Sequence, residues 1–258
     1  MKIATWNVNS LRTRLSHVTR WLGTHKADVL CLQETKVEDS LFPLEALAEH
    51  GYFAAYHGQK SYNGVAIIAR QKPTNVVFGF NGNIHNEQSR VIAATVGDTR
   101  IISAYVPQGE SLDSPKFAFK QEFYVRLTEY AAEQAKLHPK LVVVGDFNIS
   151  FDDRDVDDPK RRGKQVMFTP PEREWLGAFA QKANLSDAFR LVSDESGIFS
   201  WWDYRMWAAA PYKVGMRIDY VFVSEALKAK VKAVVHSKEE RAELQPSDHI
   251  PVMAELED

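Results

Sequence analysis

The residues able to do chemistry in this chain are Asn7, Asn9, Glu34, Tyr105, Asp146, Asn148, Asp219, Asp248 and His249. Most of them close a short apolar run. KIATWNV (2–8) leads to Asn7 and Asn9, DVLCLQE (28–34) to Glu34, RIISAYV (100–106) to Tyr105, and KLVVVGDF (140–147) to Asp146 and Asn148. Asp219 lies in RIDY (217–220), and Asp248-His249 precede IPVMAEL (250–256). Singly, each has a plain structural use: an Asp after a strand is usually a turn former, an Asp-His pair a cap, an Asn a partner for turn backbone. Together they gather carboxylates, a histidine, a tyrosine and carboxamides at strand ends, where a rigid scaffold presents functional groups. Asp, Glu and Asn oxygens suit a hard cation such as Mg2+ or Mn2+ and not zinc. A histidine with an acidic partner suits proton transfer or stabilisation of developing charge. An oxygen-held metal with an activated water points to hydrolysis of a phosphate ester. There is no glycine-rich phosphate loop and no GxSxG turn, and Cys31 sits inside an apolar strand as a structural thiol.

The elements that must position these groups alternate along the chain. Segments 2–8, 28–34, 62–70, 91–96, 100–106, 140–147, 217–223, 231–236 and 250–256 read as strands, short, rich in Val, Ile and Tyr, and bounded by turn residues. Leu11, Leu15, Val18 and Leu22 mark one helical face, and Phe119, Phe123, Leu127 and Tyr130 mark another. Ser40 is placed to cap a helix ending at Gly51, and Thr169-Pro170-Pro171-Glu172 spells a capping box with proline in the first turn. Three or four strands follow one another between residues 52 and 106 without room for helices, which favours mixed or antiparallel sheets. The expected fold class is α/β: a four-layer sandwich of two packed mixed β-sheets flanked by helices. No Pro/Gly/Ser-rich linker interrupts it, so residues 1–258 read as one domain.

Composition bounds the reading. The chain has 258 residues, 45% hydrophobic and 26% charged, enough for a sizeable core and too ordered in composition for a disordered chain. No run of about 18 apolar residues exists, so no membrane span is expected. The single cysteine rules out an intrachain disulfide and favours a reducing, cytoplasmic setting. The 32 Lys+Arg against 34 Asp+Glu leave a net charge of −2, so nucleic-acid binding requires a local basic surface. Candidates are Lys36, Lys60, Arg90 and the run Lys160, Arg161, Arg162 and Lys164, which follows five Asp within 152–158 and otherwise reads as a solvated loop.

The motifs WNVNSLR (6–12), LQETK (32–36), YHGQKSYNGVAI (56–67), YVPQGE (105–110), GDFNIS (145–150), PEREW (171–175), FSWWDYR (199–205), RIDY (217–220) and PSDHIPV (246–252) run through nearly the whole chain. In these, the sequence resembles the exonuclease III family of DNA-repair nucleases, within the endonuclease/exonuclease/phosphatase superfamily. The resemblance implies the four-layer sandwich and Mg2+-dependent cleavage of duplex DNA at abasic sites, with removal of nucleotides and blocking groups from 3′ ends. It implies a metal held by Glu34 with Asn7, and with Asp248 near it or binding through water; Asp146, Asn148 and His249 complete the expected metal-site set. Asp146 would orient and deprotonate the attacking water, Asn148 would place the phosphate, His249 held by Asp219 would hydrogen-bond it, and Tyr105 would sit against the phosphate or leaving oxygen. Asn9 and Gln108 join the basic residues as expected DNA contacts, the partner being duplex DNA with abasic sites, nicks or blocked 3′ ends, bound by a monomer. Trp201, Trp202, Met216 and Ile218 are the expected walls of an apolar pocket for an abasic sugar, which costs less to extrude than an intact nucleotide. Met216 departs from the tryptophan or leucine of many relatives. The competing readings are another phosphodiesterase of the superfamily (an inositol phosphatase, sphingomyelinase or RNA deadenylase) and a DNA-binding protein without activity.

Overall fold

The computed structural model describes residues 1–80, 88–208 and 210–257. Two six-stranded sheets form its centre. The first is built from β1 (Lys2–Asn7), β2 (Val29–Gln33), β3 (Phe53–His57), β4 (Val65–Ala69), β11 (Val231–His236) and β12 (Val252–Leu256), in the order β11-β12-β1-β2-β4-β3. The second is built from β5 (Thr74–Phe78), β6 (Val91–Val96), β7 (Thr99–Tyr105), β8 (Leu141–Asp146), β9 (Leu185–Asp187) and β10 (Asp219–Ser224), in the order β5-β6-β7-β8-β10-β9. Both sheets are mixed: β1 pairs in parallel with β2 and β7 with β8, while the remaining ladders are antiparallel.

Strand alternation builds the layers. Ile3, Val29, Cys31, Val142 and Val144 point between the sheets, into a core shared with Ile67, Ile92, Ile101 and Val221. Their neighbours Ala4, Trp6, Leu30 and Leu32 point outward, against Leu11, Val18, Trp21 and Leu22 of α1 (Leu11–His25) and Leu47 of α2 (Leu44–Ala48). On the other sheet Leu141 and Val143 face Phe123, Leu127 and Tyr130 of α3 (Pro115–Leu137) and Leu176 and Phe179 of α5 (Pro170–Lys182). Burial on both faces explains why the strands read as unbroken apolar runs, and each Val or Ile so buried contributes roughly 1.5–3 kcal/mol. The four layers are those expected from the sequence. Short helices α4 (Pro159–Arg162), α6 (Ala188–Val192), α7 (Tyr204–Trp207) and α8 (Glu225–Lys228) fill the connections. No helix among the described residues is long and apolar enough to cross a membrane.

Some local expectations change. Ser40 caps no helix: it lies in a one-turn 3-10 segment, Asp39–Leu41, and α2 starts only after Pro43. Phe42 precedes that proline and is extended (φ −66, ψ 131), as the ring's clash with the preceding residue requires. Five strands, not three or four, lie among the described residues between 52 and 106. By contrast, Glu172 Oε2 accepts from both the N–H (3.1 Å) and the hydroxyl (2.7 Å) of Thr169, tying the predicted start of α5.

Candidate active site

Sheet register assembles the site. In the second sheet Tyr105 is paired with Asp146 across β7–β8, and Asp146 with Asp219 across β8–β10, so three site residues form one row. In the first sheet Asn7 is paired with Gln33, the residue before Glu34. Gly145 permits the close approach of β8 to β7, because a Cβ there would meet the Ala104 carbonyl at 1.9 Å. The tight turns after the strands hold residues at positive φ: Asn9 (45°), Glu34 (51°), Lys36 (50°) and Asn148 (50°). Such backbone is uncommon outside glycine and concentrates at functional sites. Gly64 (φ 94°) closes over the Glu34 turn, its carbonyl accepting from Thr35 N (3.1 Å); a Cβ there would strike Thr35 Oγ1 at 2.1 Å.

Asn7 is the bridge between the sheets. Its Nδ2 donates to Glu34 Oε1 (2.9 Å) and to Asp146 Oδ2 (3.0 Å), while its Oδ1 accepts from Asn9 N (3.0 Å). Asp146 Oδ1 accepts from the backbone N–H of Asn148 (2.9 Å), and the Asn148 amide donates to Asp146 Oδ2 (3.2 Å) and the Val106 carbonyl (2.8 Å). The Asn148 amide thus orients Asp146. His249 Nδ1 lies 2.8 Å from Asp219 Oδ2, and its Nε2 lies 3.7 Å from Asp146 Oδ2. Ser200 Oγ accepts from Asp219 N (3.1 Å), and Ser247 Oγ accepts from His249 N (3.2 Å), fixing both members of that pair.

Burial and charge set the protonation states. Burial pushes the Asp146 carboxyl up to about 7; His249 works against the rise, and Asp219 and Glu34 add to it. Burial alone would lower His249, but the charges of Asp219 and Asp146 carry it up to about 10, so the ring is an imidazolium at neutral pH. Glu34 stays below the usual carboxylate range: burial opposes this, and Lys36 and Asn7 outweigh it. Burial and the Glu34 charge hold the Tyr105 phenol well above its ordinary value, so it remains a donor.

The structure brings Asn7, Glu34, Tyr105, Asp146, Asn148, Asp219 and His249 together. Asp248 sits at the rim, with Oδ1 accepting from Asn9 Nδ2 (3.1 Å) and Oδ2 from Trp201 Nε1 (3.0 Å). Candidate ligand atoms of Asp146, Asp219 and His249 lie within 4.8 Å of one another. Glu34 Oε1 and Asp146 Oδ2 share the Asn7 amide as donor, and the Lys36 ammonium stands 2.8 Å from Glu34 Oε2. Asp219 Oδ1 is buried without a hydrogen-bond partner, a further free acceptor.

The expected DNA contacts divide. Arg90 lies over the Tyr105 ring, 4.5 Å from its centroid, and with Gln108 lines a cleft of about 530 Å³ beside Tyr105. Gln59, Tyr62 and Asn63 line the same cleft and were missed as individual residues, although YHGQKSYNGVAI contains them. Lys60 is exposed nearby, and Lys36 is spent on Glu34 and Asn9. Arg161 and Arg162 both pair with Asp157 (2.7 Å for Arg162), so the acidic half of loop 151–165 neutralises much of its basic half; Lys160 and Lys164 are exposed. Of the expected pocket walls, Trp202, Met216 and Ile218 are buried and only Trp201 keeps some exposure. Met216, Ile218 and Trp201 pack with Val156, Met167 and Phe168, whereas Trp202 packs with Phe199 and Ile250. Met167 is buried in that cluster, and its φ of 84° gave no sign in the sequence because the residue is not glycine.

Comparison with known proteins agrees with this geometry. The profile of the endonuclease/exonuclease/phosphatase family matches residues 4–249. Exodeoxyribonuclease III of Haemophilus influenzae is 34% identical, over 99% of this chain and 100% of its own. A 3′ phosphatase from Neisseria, solved with a product DNA hairpin, superposes with a TM-score of 0.96 at 42% identity over 100% of both chains. An AP endonuclease from Archaeoglobus fulgidus gives 0.95 at 32% identity, again over 100% of both.

Proposed function

Because this chain belongs to the endonuclease/exonuclease/phosphatase family, we propose that it is a DNA-repair nuclease hydrolysing phosphodiesters of duplex DNA with a divalent ion, Mg2+ or Mn2+. The observation that carries the reading is the Glu34–Asn7–Asp146 bridge facing the Asp219–His249 pair and Tyr105 across one rim.

Glu34 and Asp146 would hold the ion, with Asp248 outside the inner set. Bound there, a divalent ion supplies Lewis-acid polarisation of a phosphate oxygen and lowers the pKa of water. Asp146 accepts the proton of the attacking water, and Asn148 keeps its carboxylate turned toward that position. The His249 imidazolium donates from Nε2 to a non-bridging phosphate oxygen, and Asp219 fixes the ring. Tyr105 donates its phenolic proton toward the phosphate or the departing 3′ oxygen. No side chain is required as a covalent nucleophile.

Among the expected activities, the filled cluster around Met167 supports processing of 3′ ends, with removal of nucleotides and blocking groups, ahead of abasic-site incision. The same reading makes residues 1–258 one domain acting as a monomer in a reducing cytoplasm. It draws on the shared core between the sheets and the buried Cys31. The test is one assay at equal enzyme concentration on an abasic duplex, a recessed 3′ end and a 3′-phosphate end, with Mg2+ and with EDTA. Mg2+-dependent release from the 3′ ends supports the reading; full activity in EDTA, or none on any DNA, refutes it.

A further inference from the structure

The Lys120 ammonium is fully buried and spends its three protons on three different segments. It donates to the carbonyl of Gln108 (3.1 Å), to the carbonyl of Asn148 (2.8 Å) and to Glu172 Oε1 (2.5 Å). Gln108 belongs to the loop after β7 that lines the cleft, and Asn148 to the turn after β8 that carries Asp146. Glu172 anchors the far side: both its oxygens accept from Met167 N (2.9 and 2.9 Å), and Oε2 also accepts from Thr169. A fully buried ion pair is a costly way to join two helices that already pack through Phe117, Tyr124 and Trp175. Apolar residues would pack α3 on α5 at least as well. They would leave two loop carbonyls without donors, and those carbonyls belong to the substrate cleft and the catalytic turn.

We infer that Lys120 is a positioning residue for the reaction: it fixes the Asn148 turn, and through Asn148 the carboxylate of Asp146, relative to the Gln108 loop that meets the substrate. The inference rests on the nuclease reading above. Asn148 is at a φ of 50° and both orients Asp146 and receives Lys120. Without the ammonium, that turn is free to exchange its left-handed residue for a relaxed one, carrying Asp146 out of line with the phosphate. Misplacement on that scale costs rate more than affinity.

The experiment compares wild type, Glu172→Gln and the double variant Lys120→Met/Glu172→Gln, which removes both charges together. It measures kcat and KM for 3′-phosphate release at saturating Mg2+, with thermal unfolding alongside. The double variant should lose about 10- to 100-fold in kcat with KM changed by less than about threefold. Glu172→Gln leaves the Lys120 nitrogen two N–H donors for the two carbonyls whether it is charged or neutral, and should lose less than about a third as much. A purely structural pair would lower the unfolding temperature and leave kcat near wild type well below it; that result overturns the inference. So does a loss in Glu172→Gln equal to that of the double variant. Should the double variant not fold, Lys120→Gln takes its place beside Glu172→Gln: a kcat loss at least about threefold larger than that of Glu172→Gln supports the inference, and an equal or smaller one overturns it. Wild-type cleavage in the same assay tests the nuclease reading separately.

Discussion

Met167→Gly should open space where the apolar cluster now closes. Met167 is buried among Val156, Phe168, Met216, Ile218 and Trp201, with φ at 84°. Its N–H donates to Glu172 and its carbonyl accepts from Ser150 N (2.8 Å), and glycine keeps both. The substitution gives up the weak hydrogen bond from Gln108 Nε2 to Sδ (3.5 Å). Deleting a buried Met side chain costs about 2–5 kcal/mol. Relief of the left-handed backbone returns about 1–2 kcal/mol, and the freedom of glycine in the unfolded chain takes back about 0.5–1. The net loss is about 0.5–5 kcal/mol, centred on about 3, or on the order of 10 °C in unfolding temperature for a chain of this size. A methylene-sized change in a pocket is worth about 10- to 200-fold in selectivity. The ratio of abasic-site incision to 3′-phosphate release, measured on matched duplexes below the unfolding temperature, should therefore rise at least about tenfold. A folded variant with an unchanged ratio would show that a sugar does not enter between these residues.

Glu34→Gln should keep the fold but weaken Mg2+ binding; calorimetric titration of Mg2+ and activity against Mg2+ concentration check this, and unaltered affinity would remove Glu34 from the metal site. Asp146→Asn and His249→Asn should each cost about 10²–10⁴ in kcat, and the double variant far less than the product, since both act on one phosphate. The Asp219–His249 pair should stabilise the metal-free protein most at low pH. The folded His249 value of about 10 lies above the ordinary 6.5, so the contribution is full below about 6.5 and fades as pH rises through 10. The stability lost in Asp219→Asn, about 3 kcal/mol or more at pH 6, should shrink toward pH 10.5 in urea titrations; growth with pH would reverse the assignment. Lys60→Ala should reduce the salt dependence of DNA binding by about one counterion, whereas Arg162→Ala, already neutralised by Asp157, should change it less. Equal slopes for the two variants would count against that division.

The site's components were legible because each stands at or beside an end of an apolar run, and the register of neighbouring strands then puts Tyr105, Asp146 and Asp219 in a row. Which carboxylate goes with which task was not set by spacing; the family motifs implied an assignment, and it stands as part of the proposal. What the sequence hid has physical causes. Strand β5 exposes Thr74, Asn75, Val76 and Phe78 at a sheet edge, so it lacks the apolar run that marked the others. Strand β9 is three residues long. Pro43 splits the helix expected after Ser40. The Lys120–Glu172 pair joins residues 52 apart with no periodic mark, and Arg217, bidentate to Asp155 (2.8 and 3.0 Å) in the interior, looked from the sequence like one more charge in RIDY.

In the first sheet, β12 lies between β11 and β1, next to the strand that carries Asn7. Among the described strands a ribosome makes β1 before all others and β12 after them, so one edge of β1 lacks its partner until β12 is made. Neither Asp248 nor His249 exists until that final stretch. Asn7, Glu34, Asp146 and Asp219 are therefore all made before the imidazole that faces them in the folded site. With the role proposed for His249, a chain made only as far as β11 should be a poor nuclease. Chains stalled on the ribosome before residue 249 should be inert toward DNA and sensitive to protease along β1, and both properties should change together once β12 has emerged.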